Sequence, residues 1–313
     1  MTRYAVTGAA GFIGSHLSEA LLAQGHQVVG IDAFIPYYPR EIKETNLRGL
    51  LGNPAFTFHE IDLRRPVDST LFAECDAVFH LAAMAGLMLS WSELELYSTC
   101  NLLATQQVLE AARHHQIPQV IHVSTSSTYG KNATGPEDSP LTPYSPYGIT
   151  KLAAENLCHA YEANFGIGVT VLRYFSVYGP RQRPDMAYNI LIRRLLEHRP
   201  FKLFGDGEQT RSNTFVADCV NATLLACQHR NKALGQTFNV GGGEIISMNQ
   251  VIALLQELTG EEAIIEHAPA RPGDQKHTSA NIEKAKSLLG YNPKTSVRDG
   301  LIAQVNWQRK SIL

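Results

Sequence analysis

Tyr147 and Lys151 stand four residues apart in Tyr147-Gly148-Ile149-Thr150-Lys151, at the opening of a stretch that reads as helix. That spacing places a phenol and an ammonium on one helical face. A neighbouring ammonium lowers a phenol pKa from about 10 towards neutrality. The phenolate can then accept the proton of a substrate hydroxyl as hydride leaves the same carbon. Alone, the pair is what packing and solvation also produce, so its surroundings decide. Upstream, a strand-like run enters Ser124-Thr125-Ser126-Ser127-Thr128-Tyr129-Gly130. Hydroxyls at the C-terminal end of a parallel strand sit where doubly wound sheets bind ligands. A polar strand exit that caps its own backbone accounts for Ser124 and Thr128 more readily than for the whole cluster.

A second constellation lies at the start of the chain. Thr7-Gly8-Ala9-Ala10-Gly11-Phe12-Ile13-Gly14 follows a strand-like run and opens a helix-like one. Gly8, Gly11 and Gly14 permit a tight turn and close backbone approach to a pyrophosphate, which the helix N-terminus favours through its free N–H groups. A glycine-rich strand–helix turn is common in itself. Here Asp32 ends the next strand-like run, 18 residues after Gly14. An acid at that place accepts hydrogen bonds from the adenosine ribose and repels a 2′-phosphate, so NAD is expected over NADP unless a nearby cation intervenes. Asp62, after a third strand-like run, either reaches an adenine amino group or closes a strand-end turn.

The elements that must hold these residues follow from periodicity. Tyr4–Thr7, Gln27–Ile31, Thr57–Ile61, Ala77–His80, Gln119–Ser124 and Val169–Arg173 are short and rich in β-branched residues, and Gly8, Asp32, Asp62 and Ser124 close four of them. Phe12–Gln24, Leu94–His115 and Tyr147–Phe165 read as amphipathic helices. Strand–helix alternation predicts a parallel sheet covered on both faces. Beyond it, turn signals thicken at Gly179-Pro180, Gly205-Asp206-Gly207 and Gly241-Gly242-Gly243. The expected fold is therefore α/β: a Rossmann-type doubly wound parallel sheet over residues 1–174, with a return segment near 214–240, and a smaller, mixed, discontinuous C-terminal lobe over 175–313. With 313 residues, 44% hydrophobic, the chain can bury a large core. A formal net charge of −2 without basic runs gives no support to nucleic-acid binding. No basic-then-apolar leader and no long apolar run appear, so neither signal peptide nor membrane span is expected. Five cysteines without a CxxC fit free thiols in a reducing, cytoplasmic setting. No His or Cys spacing suggests a metal site.

The Thr7–Gly14 loop, Asp32, His80-Leu81-Ala82-Ala83, the hydroxyl cluster, Tyr147/Lys151 and Arg173-Tyr174-Phe175 occur in an order that resembles the extended short-chain dehydrogenases acting on nucleotide sugars. The resemblance spans essentially the whole chain. It implies bound NAD, with Leu63, Leu81, Ala82 and Ala83 joining the loop glycines, Phe12, Ile13, Asp32 and Asp62 around it. It implies a homodimer built on a four-helix bundle from Leu94–His115 and Tyr147–Phe165. Thr125 takes the family's catalytic Ser/Thr position, bridging the sugar O4 and Tyr147, while Lys151 also holds the nicotinamide ribose. Asn101 matches a structural helix residue near the site.

Within that family, dehydratases carry an Asp-Glu pair after the catalytic Thr, and decarboxylases a Glu two residues beyond it. Here Ser126 and Ser127 stand there, and neither hydroxyl can serve as that acid or base. A 4-ketone would then be left with return of hydride, after rotation, to its other face: 4-epimerisation. The run Phe175–Ala187 is most similar to that of UDP-glucuronate 4-epimerases. It implies that Ser176, Arg183 and Ser127 meet the sugar C5 carboxylate, which an arginine can bind bidentately. Arg211, Arg271 and Asp274 match positions around the diphosphate and ribose. Two runs depart from the family: Ala85-Gly86-Leu87-Met88 lacks a cation, and Arg211-Ser212-Asn213 lacks an acid. The expected activity is UDP-glucuronate 4-epimerisation. A neutral UDP-hexose or UDP-N-acetylhexosamine is the alternative substrate. An inactive NAD-binding sensor is the alternative of another class.

Overall fold

The computed structural model describes residues 2–270 and 275–312. The first half alternates strand and helix as far as its third strand: β1 (Arg3–Thr7), α1 (Phe12–Ala23), β2 (Gln27–Asp32), α2 (Arg40–Leu51) and β3 (Phe56–Glu60), which a 3-10 turn at Ser69–Phe72 joins to β4 (Ala77–His80). Then come α3 (Leu94–Ser98), a π-turn at Thr99–Leu103, α4 (Ala104–His114), β5 (Val120–Thr125), the short β6 (Asn132–Ala133), α5 (Pro146–Phe165) and β7 (Val169–Tyr174). The six expected strands are all present, displaced by a residue at most at either end. The expected single helix Leu94–His115 is three pieces. The π-turn inserts without disturbing the apolar repeat, and it carries Cys100 and Asn101 inward. Sequence periodicity passes over α2, because only Lys43, Asn46, Leu47 and Leu50 of it are buried and no apolar stripe forms.

The second half adds β8 (Val177–Tyr178), α6 (Ala187–Leu196), β9 (Phe201–Phe204), β10 (Thr210–Ser212), β11 (Thr214–Phe215), α7 (Val216–Gln228), α8 (Arg230–Ala233) and β12 (Gln236–Val240). It ends with β13 (Ile245–Ser247), α9 (Met248–Thr259), β14 (Ile265–Ala268), β15 (His277–Thr278), α10 (Glu283–Leu289) and α11 (Val297–Ile312).

Seven strands form one parallel sheet in the order β12-β7-β5-β4-β1-β2-β3. The order reverses between β1 and β4, which opens a crevice at their C-terminal ends. One face is sealed by Leu17 and Leu21 of α1, Cys219 and Val220 of α7, and Leu289 of α10. The other is sealed by Val108 and Leu109 of α4 and Cys158 of α5. A separate core joins Leu191 and Ile192 of α6, Phe201 and Leu203 of β9, Val251 and Leu255 of α9, and Leu301 and Val305 of α11. Each fully buried leucine there contributes about 1.5–3 kcal/mol of burial, so this smaller group of elements has cohesion of its own. Its strands are two to four residues long and pair as β13-β10-β15-β6, β14-β9 and β11-β8.

Candidate active site

A single cleft of about 900 Å³ runs along the C-terminal ends of β1, β2, β4 and β5 and under the 176–187 segment and Arg211. That volume is at the upper end of small-molecule sites. Every site residue named from the sequence lines it, except Arg271 and Asp274, which lie outside the described residues. A smaller cavity of about 220 Å³ adjoins it between α6, β9 and Arg211.

The glycine loop forms one wall by main-chain contact. Gly8 has φ 73°, and a Cβ there would sit 2.9 Å from the Ala82 nitrogen. A Cβ on Gly14 would sit 2.1 Å from the Gly8 carbonyl oxygen. No side chain caps the N-terminus of α1 at Gly11, so its first N–H groups are left to whatever the cleft holds. Beneath it, Thr7 Oγ1 accepts the Ala82 N–H at 3.1 Å and lies 2.8 Å from His80 Nδ1, whose Nε2 meets Thr105 Oγ1 at 3.0 Å. Asp32 is buried; its carboxylate accepts the N–H groups of Phe34 at 2.9 Å and Ala10 at 3.3 Å. It also pairs with Lys43 at 3.2 Å. Lys43 is the nearby cation the sequence left open, and the passed-over helix α2 supplies it. Asp62 closes its own turn through the Arg64 N–H at 3.0 Å and holds the Arg64 guanidinium, whose hydrogen bonds keep its carboxyl below the ordinary range. It lines the cleft all the same, so the two readings of Asp62 are compatible.

These contacts fit a dinucleotide. Side chains are excluded where a pyrophosphate needs main-chain approach, and an anchored carboxylate stands where a ribose needs an acceptor.

The opposite wall carries the reactive hydroxyls. Ser145 caps α5 by accepting the Gly148 N–H at 3.2 Å, with Pro146 at the first helical position. Tyr147 therefore leaves the first turn facing the end of β5, where the Thr125 hydroxyl favours the ionised form of its phenol. Asn101 ties the wall to α5: its side-chain N–H groups reach the Met84 carbonyl at 3.1 Å and Thr150 Oγ1 at 3.0 Å. Ser126 and Ser127 continue from Thr125 in a single tight turn. Below them Glu155 accepts from Ser124 and pairs with Arg173 at 2.8 Å, which gives Arg173-Tyr174-Phe175 a structural basis.

The electrostatics differ from the sequence expectation. Burial raises the Tyr147 phenol above its ordinary value, and the opposing influences are the Thr125 hydrogen bond and the charge of Arg183, not Lys151. Lys151 Nζ turns instead towards His122 Nε2, 3.4 Å away beneath the sheet end. Burial lowers Lys151 to about 8, against the opposing charges of Cys158 and Glu155. Helical spacing put the two side chains on one face, but it could not show which way a long side chain bends. His122 gave no signal because a histidine inside a strand reads as core.

Arg183 enters the cleft already paired. Nε and Nη2 donate to the two oxygens of Asp185 at 3.0 and 2.9 Å. Arg211 donates to the carbonyls of Thr210 at 2.9 Å and Lys276 at 3.3 Å, so main chain holds it where an acid was missing from its run. Ser212 and Asn213 are buried and hydrogen-bond the main chain at Gly242 and Arg211. Asp185, Tyr37 and Gln275 also line the cleft and were not singled out from the sequence. Asp185 was detectable in principle, since a carboxylate two residues after an arginine across a proline can fold back onto it. Among the described residues, no group of His, Cys, Asp or Glu is placed to hold a metal ion, and no helix is long and apolar enough to cross a membrane.

Residues 4–241 match the model of the NAD dependent epimerase/dehydratase family. YtcB of Bacillus subtilis, described as an uncharacterized UDP-glucose epimerase, is 44% identical over 303 residues, 96% of each chain. A UDP-glucuronate 4-epimerase of Thermodesulfobacterium geofontis is 38% identical over 319 residues, covering 100% of this chain and 98% of its own. The crystal structure of UDP-glucuronic acid 4-epimerase from Bacillus cereus, in complex with UDP-glucuronic acid and NAD, superposes with a TM-score of 0.97. It shares 43% identity, with 99% of this chain and 100% of that one covered.

Proposed function

Because the chain belongs to the NAD-dependent epimerase/dehydratase family, we propose that it is an isomerase that inverts C4 of a UDP-sugar, converting UDP-glucuronate and UDP-galacturonate into one another. NAD, when bound, supplies reversible hydride acceptance at C4. The loop glycines with Phe12 and Ile13, Asp32, Asp62, Leu63 and Leu81–Ala83 form its cradle. Thr125 orients the sugar 4-hydroxyl towards Tyr147. Tyr147 takes that proton in its phenolate form, which Thr125 and the Arg183 charge favour against burial, and gives it back, and Lys151 holds the neighbouring ribose. Ser176 and Ser127 flank the C5 substituent beside Arg183. Arg211, with Arg271 and Asp274, takes the nucleotide end.

The observation that carries this reading is the Thr125 hydroxyl and the Tyr147 phenol gathered with the Arg183 charge in one cleft, with serines in place of an acid after Thr125. The cleft-lining carboxylates among the described residues, Asp32, Asp62 and Asp185, are all held in ion pairs. None is left as a free acid or base for elimination. Proton NMR of UDP-glucuronate with the purified protein should show the galacturonate isomer accumulating without added reductant. Release of CO2 with a pentose product, or loss of water from the sugar, would overturn the assignment.

The name of the Bacillus subtilis relative favours a second reading in which the sugar is a neutral hexose. Arg183→Ala separates the two, because only a uronate loses a charged partner.

Residues 1–174, with the return near 214–240, serve as the cofactor unit in this reading, and 175–313 as the substrate lobe. Leu94, Leu103, Ile149 and Phe165 are exposed on α3, α5 and the π-turn, and a second copy covering them would make the four-helix homodimer. Sedimentation should then report twice the chain mass. All five cysteines are buried and unpaired, which suits the reducing cytoplasm.

A further inference from the structure

Arg183 is more tightly fixed than a substrate-binding arginine on a turn needs to be. Asp185 occupies the edge made by Nε and Nη2. Tyr37, from the segment after β2, donates its hydroxyl to Asp185 Oδ2 at 3.0 Å, and the guanidinium carbon stands 5.3 Å over the Tyr37 ring. Gly86 closes behind them: its φ is 99°, and a Cβ there would sit 2.6 Å from Tyr37 Oη. The Tyr97 hydroxyl holds the Gly86 turn by its carbonyls, at 3.0 Å from Ala85 O and 2.8 Å from Gly86 O. Segments far apart in the chain thus converge on one guanidinium.

This arrangement has a geometric and an electrostatic effect. A guanidinium is planar, so fixing the Nε/Nη2 edge also fixes where the Nη1/Nη2 end points. Among the described residues Nη1 has no hydrogen-bond acceptor, so that end is available to a ligand. Asp185 also cancels the arginine charge locally. Burial pushes its carboxyl upward, but the hydrogen bonds and charge of Arg183, with the Tyr37 hydroxyl, outweigh it and keep the group below the ordinary range.

We propose that Asp185, braced by Tyr37 and Gly86, is the positioning residue that sets sugar preference and turnover at this site. It turns the end of Arg183 towards the C5 substituent and weakens the arginine's grip on an anion. The inference rests on the uronate reading above. Inversion at C4 requires the sugar to turn over in mid-reaction, so any hold on its carboxylate must break and re-form in every cycle. An uncompensated arginine would bind a uronate tightly and release it slowly. A paired one selects by fit and lets go.

The test is steady-state kinetics of the NAD-loaded wild type, Asp185→Asn and Tyr37→Phe on UDP-glucuronate and on UDP-glucose. For Asp185→Asn, KM for UDP-glucuronate should fall while kcat falls about tenfold, and the kcat ratio of the two sugars should shift about fivefold against the uronate. Tyr37→Phe keeps the ion pair and should show the same split at about threefold, which preserves the test if Asp185→Asn fails to fold. Equal losses on both sugars, or a raised uronate KM at unchanged kcat, would mean a merely structural or merely attractive role and overturn the inference. If wild type leaves UDP-glucuronate unconverted, the uronate reading fails and takes this inference with it. If wild type converts it and neither variant shows the split, the inference alone fails.

Discussion

The two walls of the cleft are built by different means. The cofactor wall is mostly main chain: Gly8 and Gly14 let one strand-to-helix turn pack against itself and against Ala82, and its carboxylate is fixed by main-chain N–H groups. The sugar wall is mostly side chain: Tyr147, Thr125 and the Arg183–Asp185 pair arrive from three separate segments, and Asp185 aims Arg183. Main chain constrains residue type at each position, because a Cβ either fits or collides. Side-chain walls constrain only the final contact, which many sequences can reach. The first wall is therefore a generic holder and the second is where chemistry and selectivity are set.

Substitutions can break or sharpen that contrast. Tyr147→Phe removes the proton acceptor alone, so kcat should fall about a thousandfold while the protein still carries its dinucleotide, read by absorbance of the purified protein. Loss of the dinucleotide would place Tyr147 in the holder. Gly14→Ala forces a Cβ to 2.1 Å from a carbonyl oxygen that no rotamer change can move. Dinucleotide and activity should disappear together, activity by about a hundredfold even if some binding survives. A fully loaded Gly14→Ala protein would end the distinction between the walls. Arg183→Ala should raise KM for UDP-glucuronate about tenfold or more, since hydrogen bonds to charge contribute about 1.5–3 kcal/mol, and leave dinucleotide binding alone. An equal rise for UDP-glucose would favour the neutral-hexose reading.

The smallest effect on activity concerns the floor that both walls share. Burial, with the Lys151 charge, lowers His80 to about 3 and His122 well below its ordinary value. The unfolded chain protonates its histidines below about pH 6.5 and the folded chain resists, so stability is full above that pH and declines as pH falls towards 3. Thermal unfolding should move to lower temperature between pH 7.5 and pH 5.5, and His80→Asn should flatten the slope. An unchanged slope in that variant would show that His80 is not the group responsible.

The same contrast explains what the sequence disclosed. The strands, the glycine turn and Asp32 were readable because backbone geometry dictates residue type there. Tyr147, Lys151 and Thr125 were readable as a set, and they do line one cleft. The direction of Lys151 was not, because it depends on His122 in another element. Nor was Lys43, whose helix shows too little apolar surface to register. The brace on Arg183 joins positions 37, 86 and 185 through tertiary contact, which no local pattern encodes. In the smaller lobe, strands of two to four residues are too short to show a period.

The seventh strand of the main sheet, Gln236–Val240, pairs with Val169–Tyr174 only after more than sixty intervening residues have been laid down. During synthesis, then, the ribosome extends a chain whose β7 is an open edge, with every residue of it destined for burial. Such an edge is a template for wrong partners. A fragment ending near residue 174 should therefore aggregate when expressed alone, however complete its glycine turn and catalytic helix, because that edge stays open until β12 emerges.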